Sequence, residues 1–98
     1  MKRASAELEK YVDESVRRSR ERGYNPTAFI AMRERYGTIE AAARLVQSGT
    51  IQSGFQRLCD LGLVDYTMEA TIARKFPAEF SSKVREAAEW RLAQAQPT

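Results

Sequence analysis

The side chains best suited to covalent chemistry in this sequence are one thiol and two groups of carboxylates, and none has the setting that such chemistry needs. Histidine is absent, which removes the group best matched to proton transfer near neutral pH and the commonest metal ligand. Zinc requires clustered Cys or His, and Cys59 is the only cysteine. As a nucleophile Cys59 would need an activating base and an accessible, electropositive site; beside Phe55 and Leu58 it reads as a small core residue. Glu7, Glu9, Asp13 and Glu14 have basic neighbours and read as solvated. Asp60, Asp65 and Glu69 fall around a helix junction, where an acidic side chain ordinarily caps. Gly49 and Gly54 lack the strand, spacing and lysine of a nucleotide cradle. No catalytic, cofactor or metal-binding residue is assigned, and the expectation is a protein that is not an enzyme.

The elements that would position these groups read as helices. Ala4, Leu8, Tyr11, Val12 and Val16 form a narrow apolar stripe on a charged helix over about 4–20, which Gly23 stops. Asn25 offers an N-cap and Pro26 a first helical residue for a second helix ending at Tyr36, with Phe29, Ile30, Met32 and Tyr36 inward. Thr38 can cap a third helix over 39–48, whose Ala41-Ala42-Ala43 run admits a close neighbour. Ser53 and Gln56 have capping-box spacing for a fourth, with Phe55, Leu58 and Cys59 on one face and Gly62 at its end. Thr67 or Asp65 can cap a fifth over 68–74, which Phe76-Pro77 breaks. Ser81 opens the last, over about 82–93, with Val84, Ala87, Ala88 and Leu92 as its stripe. Leu63–Tyr66 is the one stretch that could be a strand, and it has nothing to pair with. The expected fold is all-α, a compact bundle of about six short helices with a longer amphipathic N-terminal helix. The expected organisation is a charged helix over 1–22, a helical domain over 23–93 and a frayed tail over 94–98.

Ninety-eight residues, 43% of them apolar, suit one domain, able to bury roughly 60–65% of its unfolded surface. No apolar run approaches the ~20 residues that span a bilayer. Met-Lys-Arg-Ala-Ser-Ala leads into charges rather than a signal region. A cytoplasmic protein without a membrane partner is expected, and a lone cysteine agrees with a reducing compartment. The net charge of +3 is uneven: residues 1–36 hold nine Lys/Arg against six Asp/Glu, and residues 37–98 hold seven of each. Arg17, Arg18, Arg20 and Arg22 are its densest part and could contact phosphates. Asp13 and Glu14, three to four residues earlier, favour ion pairs on a solvated face instead.

A dispersed pattern runs through Gly23-Tyr24-Asn25-Pro26-Thr27, Phe29, Met32, Ile39-Glu40-Ala41-Ala42 and Arg44-Leu45. It continues with Ser53-Gly54-Phe55, Arg57-Leu58, Leu61-Gly62, Asp65, Thr67 and Glu69-Ala70, and ends at Phe80 and Arg91-Leu92. In this it resembles a small helical domain that recurs in uncharacterised bacterial proteins, often near the C-terminus of longer chains. The resemblance covers about three quarters of the sequence. It implies an all-helical fold and, because some of those proteins are linked to restriction or defence, a phage–host setting; it carries no catalytic residue across. The chain departs from that pattern in having Cys59 where a larger aromatic is common, and in its charged N-terminal helix.

Two functional readings follow. The first is a non-catalytic protein-interaction module, an adaptor or a small inhibitor of a larger machine. Trp90 lies off the Val84–Ala88–Leu92 line at roughly 100° per residue, and Tyr66 sits in a helix junction; aromatic side chains of this kind dominate binding hot spots. The stripe Leu8, Tyr11, Val12 and Val16, if uncovered, would pair two copies of the chain. The second is nucleic-acid binding through a helix-turn-helix-like pair over 39–61. Gln52, Gln56 and Arg57 would face bases and the Arg17–Arg22 cluster phosphates. The turn at Gly49–Gln52 is long for that motif, and Gly54 weakens the start of the reading helix.

Overall fold

Ser5 begins the first helix from an extended backbone (φ −67°, ψ 161°), its Oγ accepting the Leu8 N–H at 3.1 Å. The computed structural model describes residues 3–47 and 53–95. Its long helices are α1 (Ala6–Glu21), α2 (Thr27–Tyr36), α3 (Thr38–Gln47), α4 (Ser53–Asp60) and α6 (Ser82–Ala95). A short α5 (Met68–Ala70) runs on into a π turn, Thr71–Lys75, and 3-10 turns occupy Val64–Tyr66 and Pro77–Glu79. The fold is all-α, with no strand among the described residues.

The helix ends follow local chemistry. After α1 the Tyr24 N–H reaches the Ser19 carbonyl at 2.9 Å and the Gly23 N–H that of Arg20 at 3.0 Å. After α4 the Leu63 and Gly62 N–H groups reach Leu58 and Cys59 in the same way. Both are Schellman closures, which need a left-handed residue; Gly23 (φ +86°) and Gly62 (φ +78°) supply it. Thr67 caps α5 through the Ala70 N–H, and Ser81 opens α6 through that of Val84.

Three local expectations are corrected. Asn25 does not cap α2 with its side chain: its carbonyl takes the Thr27 N–H at 2.8 Å, Pro26 holds the cap position, and Asn25 Oδ1 accepts from Arg20 instead. Thr38 lies inside α3, its hydroxyl drawn to Glu9 at 2.5 Å. The stretch that could have been a strand, left without a pairing partner, forms a 3-10 turn over Val64–Tyr66, in keeping with the all-α expectation. The last helix includes Gln94 and Ala95, which were expected in the tail. Residues 48–52, and with them Gln52 and the expected long turn before α4, lie outside the described residues.

The core is shared by the whole sequence. Leu8 and Val12 of α1, both 0% exposed, meet Phe29, Val46, Met68, Ile72 and Val84. Ala41 and Ala42 let α3 lie close against its neighbours α2 and α6. A smaller cluster of Phe55, Ala70 and Leu92 ties α4, α5 and α6, with Cys59 and Val64 against it. The N-terminal helix is therefore part of the same core as residues 23–93. Polar ties fasten it: the Ser5 N–H and hydroxyl donate to Glu79, while Arg33 bridges Glu9 at 2.7 Å and Asp13 at 2.8 Å. Partial burial works against the Glu9 carboxylate, but the Thr38 hydroxyl and the Arg33 guanidinium outweigh it and hold it below the usual range.

Candidate functional site

The apolar side of α6 faces the core through Val84, Ala88 and Leu92. Helical rotation then turns Trp90 outward, where it is 59% exposed, the one large apolar side chain so placed among the described residues. Trp90 therefore stands on the outer side of a helix whose opposite side is packed.

The other candidates are arranged differently. Leu8 and Val12 are covered within the chain, so the stripe does not need a second copy to bury it; this corrects the expected self-pairing face. Tyr11 and Tyr66 stack on each other at 5.4 Å, Phe76 meets the Tyr11 edge at 5.6 Å, and the Arg18 guanidinium sits 4.9 Å over Tyr66. The Tyr11 hydroxyl donates to the Asp65 carbonyl. Both tyrosines are thus committed to joining α1 to the 64–66 turn, and Val16 is half-buried.

That arrangement carries a pH prediction. Burial, then the neighbouring Tyr66 and Asp65, push the Tyr11 phenol up to about 12 from 10.0. The folded state prefers the protonated phenol, so its contribution to stability is complete below pH 10.0 and is lost as pH rises through about 12. An ultraviolet titration should show a phenolate signal at about 12 that disappears in Tyr11→Phe.

Among the basic candidates, Arg17 holds Glu14 at 2.5 Å and Glu21 at 2.6 Å, and Arg18 holds Glu14 at 2.6 Å. Arg20 donates to Asn25 and Arg22 to the Leu61 carbonyl. Gln56 donates to Asp60, and Arg57 is exposed. Each arginine of the cluster thus already holds a partner within the chain, and Arg22 reaches the end of α4. A broad open groove of about 860 Å³ between α1 and α2 sets four carboxylates against three arginines, a mixed lining without a dominant sign.

Sequence reasoning missed a buried ion pair. Glu69 Oε2 accepts from Arg91 Nη1 at 3.3 Å, with side chains 1% and 3% exposed. The signal was available. Arg91 follows Val84 and Ala88 at helical spacing on the apolar line of α6, and Glu69 precedes Ile72 by three residues. Burial pushes the Glu69 carboxyl up, against the pull of a backbone hydrogen bond and of Arg91. Cys59, half-buried nearby, is also pushed up, by burial and then by the Glu69 and Asp60 carboxylates, the opposite of nucleophile activation. No group of three or more Cys, Asp or Glu among the described residues is placed to hold a metal ion. No helix among them is long and apolar enough to cross a membrane.

Among the described residues the molecule is thus an all-α bundle with one large exposed apolar side chain, a buried Glu–Arg pair and a paired basic helix. Comparison with protein-family models, with curated proteins and with solved structures finds no match.

Proposed function

We propose that this chain is a non-catalytic protein-interaction module, an adaptor or a small inhibitor, that docks through the outer side of α6 with Trp90 as its anchor. The observation that carries the reading is Trp90 standing 59% exposed on a helix whose other side is packed. A large aromatic on a rigid element offers apolar contact area at small entropic cost, and Trp is strongly enriched among binding hot spots. The Cys59 thiol, pushed up by burial and by Glu69 and Asp60, and the absence of histidine favour a binding role over a catalytic one. The resemblance of residues 23–92 suggests a restriction or defence setting for the partner. The nucleic-acid reading draws less support, since Arg17 and Arg18 already hold carboxylates.

The test is a comparison of wild type and Trp90→Ala in capture from the native host, followed by titration against whatever wild type retains. Loss of an anchor should cost at least about 2 kcal/mol, or roughly 30-fold in Kd, with the circular dichroism unchanged. An identical captured set with equal affinity removes Trp90 from the interface and the reading with it.

A further inference from the structure

Where the main core meets the smaller cluster of Phe55, Ala70 and Leu92, the packing leaves a partly enclosed cavity of about 180 Å³. Phe29, Leu45, Phe55 and Met68 give it apolar walls, while Ser15, Ser19, Glu69, Tyr24 and Tyr66 bring the polar groups of its lining. The volume falls below the ~300 Å³ of ordinary drug-sized sites. It is close to the ~150 Å³ at which an apolar cavity takes up a benzene-sized guest. One aromatic ring fits.

The polar lining restricts the chemistry of that ring. The Ser15 hydroxyl donates to the Tyr11 carbonyl at 2.9 Å and that of Ser19 to the Ser15 carbonyl at 2.8 Å. With their hydrogens spent, these serines present lone pairs. Glu69 adds carboxylate oxygens, which accept more than one hydrogen bond each. Toward these three residues a guest must therefore donate, while the Tyr24 and Tyr66 hydroxyls of the lining can donate or accept. Charge narrows the choice further, because Arg91 balances Glu69. A cation would bring a second buried positive charge, and an anion would face the carboxylate; either costs more than a neutral guest.

We propose that this cavity is a binding site for a small, neutral, single-ring aromatic molecule bearing one O–H or N–H donor. Trp90 is not part of its lining, so the site stands or falls independently of the α6 docking surface.

Phenol and toluene have nearly the same shape and differ in the donor. Titrating the full chain with each, followed by amide chemical shifts, should give saturable phenol binding centred on Ser15, Ser19, Phe29, Phe55 and Glu69. Toluene should bind at least about tenfold more weakly, the equivalent of one lost hydrogen bond of about 1.4 kcal/mol. Benzoate and benzylammonium should give no saturable shifts. Ala28, exposed where it lines the cavity, tolerates substitution without disturbing the core, and Ala28→Phe should abolish the phenol response. Toluene binding as tightly as phenol overturns the proposal. So does an absence of saturable shifts with phenol, or phenol binding unchanged in Ala28→Phe.

Discussion

Arg91→Met alone should destabilise the fold by about 3–5 kcal/mol, because it leaves a carboxylate buried without its counter-ion. Replacing both partners, Glu69→Leu with Arg91→Met, should instead be neutral or stabilising by about 1–4 kcal/mol. The contrast rests on geometry. The 3.3 Å contact between two side chains only 1% and 3% exposed is longer than the ~2.7–2.9 Å of a strong charge-assisted hydrogen bond. Desolvation of both ions is then poorly offset by their attraction. Urea melts of the two variants beside wild type decide the matter, and equal losses in both would show that the pair is a net stabiliser.

The same pair sets a pH dependence. Burial holds the Glu69 carboxyl above its unfolded value of 4.5, the backbone bond and Arg91 opposing. Protonation is therefore easier in the folded state than in the unfolded one. Its contribution to stability is present below pH 4.5 and fades as pH rises through the folded value. Removing Arg91 removes a lowering influence, so the Arg91→Met penalty should shrink on acidification from neutrality toward pH 4.5. Glu9 acts in the reverse sense, since its carboxyl is held below 4.5 and its contribution is lost as pH falls. Urea midpoints against pH for wild type and Glu69→Gln separate the two, because the Glu69 component disappears in the variant.

Leu8→Ala should cost about 2–5 kcal/mol, the range for truncating a fully buried leucine. Leu8 is 0% exposed and lies in the main core with Val12 and Ile72. A helix that merely paired two copies would lose dimer affinity instead, and its apparent stability would then depend on protein concentration. The urea midpoint of Leu8→Ala should fall by the same amount at concentrations differing about a hundredfold. A loss confined to the dilute sample would place Leu8 at an interface between copies.

Much of the fold was legible because helix boundaries are decided over a few residues. Thr67 and Ser81 announce their helices through side-chain oxygens that reach an N–H three residues on. Gly23 and Gly62 announce the ends because the closures there require positive φ. Where two local solutions compete, pattern misleads. Asn25 satisfied Thr27 with its backbone rather than its side chain, and Thr38, a possible cap, lies within α3 with its hydroxyl on Glu9.

The candidate site was legible only in part. The outward position of Trp90 follows from helical arithmetic against the Val84–Ala88–Leu92 line, and the exposure agrees. Glu69 was read as a capping residue, and Arg91 went unremarked, although each sits at a core position of its helix. An acidic residue near a helix start has a sufficient local explanation, and its true partner lies 22 residues away.

Helix, turn and cap chemistry, the all-α class, the lack of histidine and the outward turn of Trp90 are properties of short stretches of chain. They are readable from the order of residues because they depend on backbone geometry and near neighbours. Three other features arise from distant pieces meeting: the cover over Leu8 and Val12, the Glu69–Arg91 pair, and the cavity between the two clusters. Burial, charge pairing and voids are set by how surfaces fit after the helices assemble. That fit turned an expected pairing stripe into core and an expected cap into one half of a buried ion pair.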